Sequence, residues 1–332
     1  MGWPSFYGGN QGILVATSEL RCRIAEVTAR FSDDDLALFL ADKIVMAEVL
    51  HAPAHGLHYF LGSLYPLLLE GKVNCGSIEE IGNVVISNGT GGIGFLHLDR
   101  CLSKASEIAR DKGIALCVLQ MPGKVGALRV YCNKYMERGQ LILILKNTAR
   151  TVGTTGTGGP VIGTNPLCIG LPDTHFIYDS STSTVATNKL RLANKCHYVF
   201  PYPVGVDKDL VPTNSPSTIP AEGGYLLPFS HGPYWFKSFF LGVAIEAMAA
   251  LAGGSTGRRV GKHDGQRLHS REGMLAVLVD KHVFPFYEKY LNEATLLLNE
   301  IRSYGLHIPG EHDSNASQVM VFRKDWEMLR SL

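Results

Sequence analysis

An α/β fold with a helical N-terminal region is predicted by three observations. Apolar residues recur at helical spacing from Leu20 to Leu69, and short apolar runs then alternate with helix-period segments from Val84 to Tyr178, the pattern of strands covered by helices. A composition of 45% hydrophobic against 18% charged residues over 332 positions supplies a sizeable core and excludes a disordered or fibrous chain. Glycine is in excess, 36 residues against roughly 23 at average usage. The backbone therefore makes many tight turns or close approaches.

The elements follow in order. Ser18 can cap a helix with Leu20, Ile24 and Val27 on one face. Ser32 followed by Asp33-Asp34-Asp35 starts a second, with acids at the positive end of its dipole. Pro53 ends it near His51. A third helix covers Gly56 to Leu69 and stops at Gly71, so Ala52-Pro53-Ala54-His55-Gly56 lies on a bend between helices. Val84-Val85-Ile86 reads as a strand, Leu96 to Lys112 as a helix stopped by Gly113, and Ile114 to Leu119 as a strand. A helix from Ala127 to Glu137, a buried strand Leu141 to Leu145 and a Gly/Thr-rich loop from Thr148 to Gly163 come next. Strands at Leu167–Leu171 and Phe176–Tyr178 precede a Pro/Gly-rich surface excursion from Tyr198 to Gly224. A long helix spans Trp235 to Leu251, and the loop Gly253 to Gly273, with Arg258, Arg259 and Lys262, reads as mobile. A strand at Met274–Val279, a helix at Pro285–Ser303 and the turn Pro309-Gly310-Glu311 complete the chain, which shows no internal repeat.

Charge and cysteine usage narrow the function. Thirty-one basic and 30 acidic residues leave a net charge of +1 with no long run of either sign, so no nucleic-acid partner is expected. The seven cysteines are scattered and never as close as Cys-x-x-Cys, the pattern of free thiols in a reducing compartment. The most apolar run, Phe239 to Ala252, contains Glu246 and is too short to span a bilayer. Gly2 is followed by Phe6 where a myristoylation signal wants Ser or Thr, and early arginines are lacking. A soluble protein of the cytoplasm or an organelle matrix, with no membrane span and no clear targeting signal, is expected.

Four constellations could carry chemistry. Gly89-Thr90-Gly91-Gly92-Ile93-Gly94 matches Gly-x-Gly-x-x-Gly between a strand and a helix, the arrangement that seats a pyrophosphate in a Rossmann unit. The next strand ends at Gln120-Met121 without the acid that would hold a ribose, which leaves a tight loop as the other reading. His51, His55 and His58 are spaced i, i+4 and i+7, but Pro53 interrupts the helix that would align them on a metal, so none is expected. His55, at the bend beside Gly56, can be aimed into a cleft as a proton donor. The hydroxyl-rich turn Asp179-Ser180-Ser181-Thr182-Ser183-Thr184 after a strand can cradle phosphate or ribose, or serve only as a turn. Lys237, near a helix start, has the wrong sign for the dipole and asks for an anionic partner unless it snorkels to water.

Taken in order, these segments resemble the type-2 malate/L-lactate dehydrogenase family, the NAD(P)-dependent group unrelated to the Rossmann lactate dehydrogenases, which includes ureidoglycolate, sulfolactate and 2,3-diketogulonate enzymes. Ala54-His55-Gly56 with Tyr59 and Gly71 is similar to the family's Ser-His-Gly segment, and Gly163-Thr164-Asn165-Pro166 to its Gly-Thr-Asn-Pro. Asp179 to Ala186 resembles its Asp-x-x-Thr-Ser-x-x-Ala, Lys237 to Glu246 its Lys-Gly-Tyr-x-Leu helix, and Pro309-Gly310-Glu311 its Pro-Gly-Glu turn.

The resemblance implies a non-Rossmann fold of mixed sheets with surrounding helices, in which residues 1–75 form a helical N-terminal region packing with the C-terminal part, 76–250 a central α/β cofactor-binding region, and 251–332 a strand and helices completing the first domain. It implies hydride transfer between NAD or NADP and a 2-hydroxy or 2-oxo acid in a homodimer. Its site residues map to His55 and Lys124 for catalysis, and to Asn147, Thr164 and Asn165 for substrate. Cofactor contacts map to Tyr178, Asp179, Ser180, Ser181, Thr182, Ser183, Thr184, Phe236, Lys237, Gly310, Glu311 and His312, and the 89–94 glycines become a structural turn. Three positions depart from the pattern. Leu50 replaces an arginine suited to a substrate carboxylate, Ala54 replaces the serine, and Met121-Pro122-Gly123-Lys124 replaces Asn-Ser-x-His. These losses raise an alternative, a catalytically impaired member acting as a structural or interaction subunit.

Overall fold

Asp33, one residue after Ser32, caps the second helix, with acids in its first turn as expected. Its carboxylate accepts from Leu36 N at 2.8 Å, capping α2 (Asp34–Val49), which packs on α1 (Thr17–Ala29). Leu20, Ile24 and Val27 of α1 are buried as their spacing requires, but Ser18 does not cap: the cap position is two residues earlier, at Ala16, the end of β1 (Gly12–Ala16). The computed structural model describes residues 11–219, 223–230, 232–257, 260, 271–311 and 316–332. The start of the chain, Arg258, Arg259, Lys262 and His312 lie outside the described residues.

Past α2 the chain bends as Pro53 demands. His51 takes φ 55°, Pro53–His55 forms a 3-10 turn, and α3 (Leu57–Tyr59) runs through a π turn at Phe60–Leu64 into α4 (Tyr65–Leu69). Next come β2 (Ser77–Ile81), β3 (Val84–Asn88), α5 (Phe95–Lys112) and β4 (Ile114–Gln120). The helix expected over 127–137 is a 3-10 turn at Leu128–Tyr131 and the short α6 (Asn133–Met136). Tertiary bonds override the local helical tendency there: Tyr131 Oη donates to Val125 O at 2.8 Å, and Arg129 N to the Asp179 carboxylate at 3.1 Å.

The remaining elements are β5 (Gln140–Lys146), β6 (Leu167–Gly170), β7 (Ile177–Ser180), α7 (Thr187–Lys195), β8 (Gly205–Val206), β9 (Pro212–Thr213), β10 (Tyr225–Leu226), α8 (Trp235–Leu251), β11 (Gly273–Asp280), α9 (Tyr287–Ser303), β12 (Gln318–Phe322) and α10 (Arg323–Ser331). The 198–224 stretch is not a bare surface excursion. Its β8 pairs with β9 and β10, and Phe200, Val204, Val206 and Ile219 are buried.

A seven-stranded mixed sheet, ordered β2-β3-β4-β11-β5-β6-β7, carries the main core. Only β3 and β4 run parallel; the other neighbours are antiparallel. β11, from the last segment of the chain, lies between β4 and β5 and ties that segment into the central sheet. β12 pairs with β1 in a separate two-stranded ribbon. The expected α/β class with mixed sheets and a helical N-terminal region is what the structure has.

Among the described residues one helix, Gly232–Leu251, is long and apolar enough by length and composition to cross a membrane, longer than the apolar run at 239–252 suggests. Ser238, Phe239, Gly242, Ile245 and Ala249 are buried, and the helix packs on β5 and β11. Phe236, Phe240, Leu241 and Leu251 on its other side are exposed.

Candidate active site

A cavity of about 420 Å³ opens between the 51–55 bend, the 123–129 loop, the end of β5 and the turn that joins β7 to α7. Its position follows from how each wall is fixed. At the bend, Glu48 of α2 reaches past the turn so that its carboxylate accepts from Leu57 N at 2.7 Å. This satisfies the first amide of α3 and holds the intervening His55. The space is tight: a Cβ on Gly56 would stand 2.7 Å from Glu48 Cγ and nearer still to the carboxyl. The His55 ring lies edge-on to Tyr59, with centroids 5.5 Å apart. Burial pushes the imidazole pKa down to about 4, Asp179 opposing and Arg129 assisting the shift. His55 is therefore neutral at physiological pH, a hydrogen-bond donor rather than an imidazolium acid.

Lys124 lines the cavity from the loop after β4. That loop is laced to the glycine turn, with Lys124 N donating to Gly92 O at 2.7 Å and Gly94 N to Lys124 O at 2.8 Å. The glycine cluster has no room for a phosphate. Gly89 N, Gly91 N and Ile93 N bond Gln120 O, Met121 O and Lys72 O, and Thr90 N bonds Asn74 Oδ1. A Cβ on Gly94 would lie 3.1 Å from Pro122 C and closer to its oxygen. These glycines allow backbone to touch backbone, so the Rossmann reading falls.

The opposite wall carries charge. Arg129 Nε and N both donate to the Asp179 carboxylate, at 3.2 and 3.1 Å, while Nη2 bonds Asp179 O and Nη1 reaches Leu50 O at 3.5 Å. A guanidinium thus reaches the backbone of Leu50. Deeper in, Lys146 closes β5 with an ammonium that bonds the Glu272 carboxylate and, at 3.2 Å, Asn147 O. Both side chains are under 10% exposed, and both line the cavity. Burial lowers the Lys146 pKa, and the attraction and hydrogen bond of Glu272 offset part of that shift. Beyond the hydroxyl-rich turn, α7 begins at Thr187 without a side-chain cap and places Lys189 and Arg191 on the wall. Burial brings the Lys189 pKa down to about 8.

The expected site residues divide. His55, Lys124, Thr164, Asp179, Ser180, Ser181, Ser183 and Thr184 line the cavity. The turn's hydroxyls are largely engaged within the fold: Ser183 Oγ donates to Val185 O at 2.8 Å and Thr184 Oγ1 to Val204 O at 2.6 Å, while buried Thr182 bonds Thr164 O at 3.2 Å. The structure does not bring Asn147, Asn165, Tyr178, Thr182, Phe236, Lys237, Gly310 or Glu311 to this wall. Asn147 is fully buried, bonding Ser255 O and Gly273 N, and Asn165 bonds Gly242 O and Glu246. Both brace loops. Tyr178 is on the exposed side of β7, Phe236 is exposed on α8, and Lys237 stands 5.1 Å from the Tyr234 ring. Glu311 is paired with Arg302, and Gly310, at φ 100°, makes a close backbone approach to Ile177. Among the described residues no group of three or more His, Cys, Asp or Glu is placed to hold a metal, and His58 points instead to Asp325 and Lys195.

Sequence reasoning passed over Tyr59 as a wall residue, and Arg129, Lys146, Lys189, Arg191 and Glu272 altogether. A signal existed for Lys146 alone. It ends the strand Gln-Leu-Ile-Leu-Ile-Leu-Lys, where a charge leaving a buried strand needs a partner.

A family model described as malate/L-lactate dehydrogenase matches residues 16–319. The malate/(S)-sulfolactate dehydrogenase of Methanothermus fervidus is 26% identical over 317 residues, spanning 91% of this chain and 90% of that protein. The Delta(1)-pyrroline-2-carboxylate/Delta(1)-piperideine-2-carboxylate reductase of Pseudomonas syringae pv. tomato is 27% identical over 322 residues, 90% of each chain. A solved dehydrogenase structure from Sinorhizobium meliloti superposes with a TM-score of 0.82 at 22% identity, covering 96% of this chain and 98% of that one, a likeness of fold.

Proposed function

Because the chain belongs to the malate/L-lactate dehydrogenase family, we propose that it is an oxidoreductase that transfers hydride between NAD or NADP and a 2-hydroxy or 2-oxo acid. The observation that carries this reading is the convergence on one cavity of neutral His55, the Lys146–Glu272 pair and a wall of cations and hydroxyls. The volume of about 420 Å³ lies within the range of small-molecule clefts. The donor set fits a dinucleotide: Lys189, Arg191 and the uncapped first turn of α7 suit a pyrophosphate. Hydride exchange is the chemistry that a bound nicotinamide supplies.

The protein's own residues orient and polarise. His55, neutral and half-buried, donates a hydrogen bond to the substrate oxygen, as a neutral imidazole can. Lys124, exposed at the mouth, offers the substrate carboxylate a cation where the family pattern has histidine. Arg129 is committed to Asp179 and fixes the turn that follows β7. The exposed apolar residues of α8 (Phe236, Phe240, Leu241, Leu251) and of α9 (Leu296, Leu297) supply the kind of surface that a homodimer covers.

Incubating the protein with NADH or NADPH and a panel of 2-oxo acids between about pH 5 and 9 tests the reading. Oxidation of the nucleotide supports it. Folded protein that binds either nucleotide but oxidises neither with any acid would sink the activity, and absence of nucleotide binding would point to the impaired member acting as a structural or interaction subunit.

A further inference from the structure

We propose that Lys146 is the acid-base group of this site, giving its proton to the substrate oxygen during reduction and taking it back during oxidation, with Glu272 as its positioning residue. The inference rests on the function proposed above and deepens it. Three observations lead to it. The ammonium and carboxylate are each under 10% exposed yet both line the cavity, so their pairing is buried at a reacting surface rather than solvated. A buried ion pair is poor value for stability, since apolar residues of the same volume do as well or better. At the end of the apolar strand β5 such residues would fit the pattern. And His55, the obvious donor, carries no ionisable proton to give near neutrality.

Burial makes Lys146 a stronger acid than an ordinary lysine, which moves it toward the range in which proton transfer is efficient. The charged groups facing it are Glu272, from the turn before β11, which opposes that shift, and Lys124, from the loop after β4, which adds to it. His55 and Tyr59 from the bend, and Arg129 with Asp179, complete the titratable wall. In reduction, the substrate carbon accepts a hydride from the reduced nicotinamide while its oxygen takes a proton from Lys146 Nζ. The amine stays bonded to the Glu272 carboxylate and regains a proton from solvent when the product leaves. One 2-oxo acid, one reduced nucleotide and one proton become one 2-hydroxy acid and one oxidised nucleotide. Oxidation runs the same steps backward.

The test compares Lys146→Met, Glu272→Gln and the double variant Lys146→Met/Glu272→Leu, which leaves no buried charge unpaired. Three properties are measured: nucleotide affinity by fluorescence titration, the pH dependence of acetylation at each lysine by mass spectrometry, and the pH profile of 2-oxo acid reduction. In the wild type the Lys146 amine is expected to titrate below an ordinary solvent-exposed lysine. Glu272→Gln should move both that midpoint and the alkaline limb of reduction to lower pH together, because the carboxylate that favours the ammonium is gone. Lys146→Met and the double variant should keep nucleotide affinity while kcat drops by about 10²–10⁴-fold, the usual contribution of a positioned acid. A double variant that folds, binds nucleotide and retains kcat within about tenfold of wild type overturns the assignment and leaves the proposed function standing. So does an alkaline limb that Glu272→Gln does not move. Wild-type protein that binds neither NADH nor NADPH overturns the function and this assignment with it.

Discussion

Replacing Gly56 by alanine is expected to dislodge His55 without touching it. The backbone at Gly56 has φ −90° and ψ −139°, and the effect on His55 comes from the contact the new Cβ would make. The new Cβ would overlap the Glu48 carboxyl and come within 2.7 Å of its Cγ. Glu48 is 8% exposed and cannot swing out to water. The carboxylate must therefore release Leu57 N, which it holds at 2.7 Å. A charge-assisted bond with a buried partner is worth about 1.5–3 kcal/mol, and the lower unfolded-state entropy of alanine returns about 0.4–1 kcal/mol. The net loss is about 1–2 kcal/mol, or roughly a 5- to 30-fold fall in the folded-to-unfolded ratio. Urea denaturation measures it. Because the released amide starts the helix that follows His55, kcat should fall further than stability does, by on the order of 10²-fold for a displacement near 1 Å. A double-mutant cycle isolates the cause. In a Glu48→Ala background that contact is gone, and the cost of Gly56→Ala should shrink by a coupling of about 1–2 kcal/mol. Equal costs in both backgrounds, or an unchanged midpoint and kcat in the single variant, would refute the reasoning.

Other outcomes follow from the same geometry. Gly94→Ala should destabilise the fold, because its Cβ has only backbone to meet at Pro122, while the folded fraction keeps its NADH or NADPH affinity in a fluorescence titration; a selective loss of affinity would restore the phosphate-loop reading. Lys189 titrates at about 8 in the free protein, and a bound phosphate can only raise that value. Nucleotide affinity should thus be constant below about pH 8 and weaken as pH rises above it, and Lys189→Met should flatten the curve. Asp325 of α10 is buried, which alone would raise its pKa, but the neighbouring His58 ring, 3.4 Å away, and the hydrogen-bonded Lys195 ammonium outweigh burial and hold it below the usual range. Its contribution to stability is therefore complete above the unfolded value of about 3.9 and disappears as pH falls through the lower folded value. Asp325→Asn should remove that acid dependence from a series of thermal melts. Phe240→Glu, on the exposed side of α8, should shift sedimentation from dimer to monomer; a wild type that is already monomeric removes the dimer proposal.

Much of the secondary structure was legible because it is local. Asp33 caps α2 through its own side chain, and Gly71, Gly113 and Gly139 stop helices in the left-handed conformation glycine adopts most readily. The run at 141–145 is a strand and 235–251 a helix, since apolar pattern and length agree at both. The elements that escaped notice are short or lie at edges. β2, Ser-Ile-Glu-Glu-Ile, is exposed along most of its length and exists because β3 offers it hydrogen bonds. β12 has its partner, β1, at the opposite end of the chain. The 127–137 segment breaks into a 3-10 turn and a short helix because its bonds go to Val125 and Asp179.

By itself the sequence determined the family and the α/β class, because motifs spread from Ala54 to Glu311 keep their order and each depends on local backbone chemistry. It also placed His55 on a bend, since Pro53 and Gly56 permit little else there. Only the tertiary structure decided what that bend faces. It spent the amides of the attractive glycine turn on neighbouring carbonyls, and it set Asn147 and Asn165 to bracing loops. It also inserted β11 between β4 and β5, which carries Glu272 onto Lys146 from 126 residues away. A charge pair closed by strand order leaves no trace in spacing, because neither residue's neighbours in the chain bring it to the other.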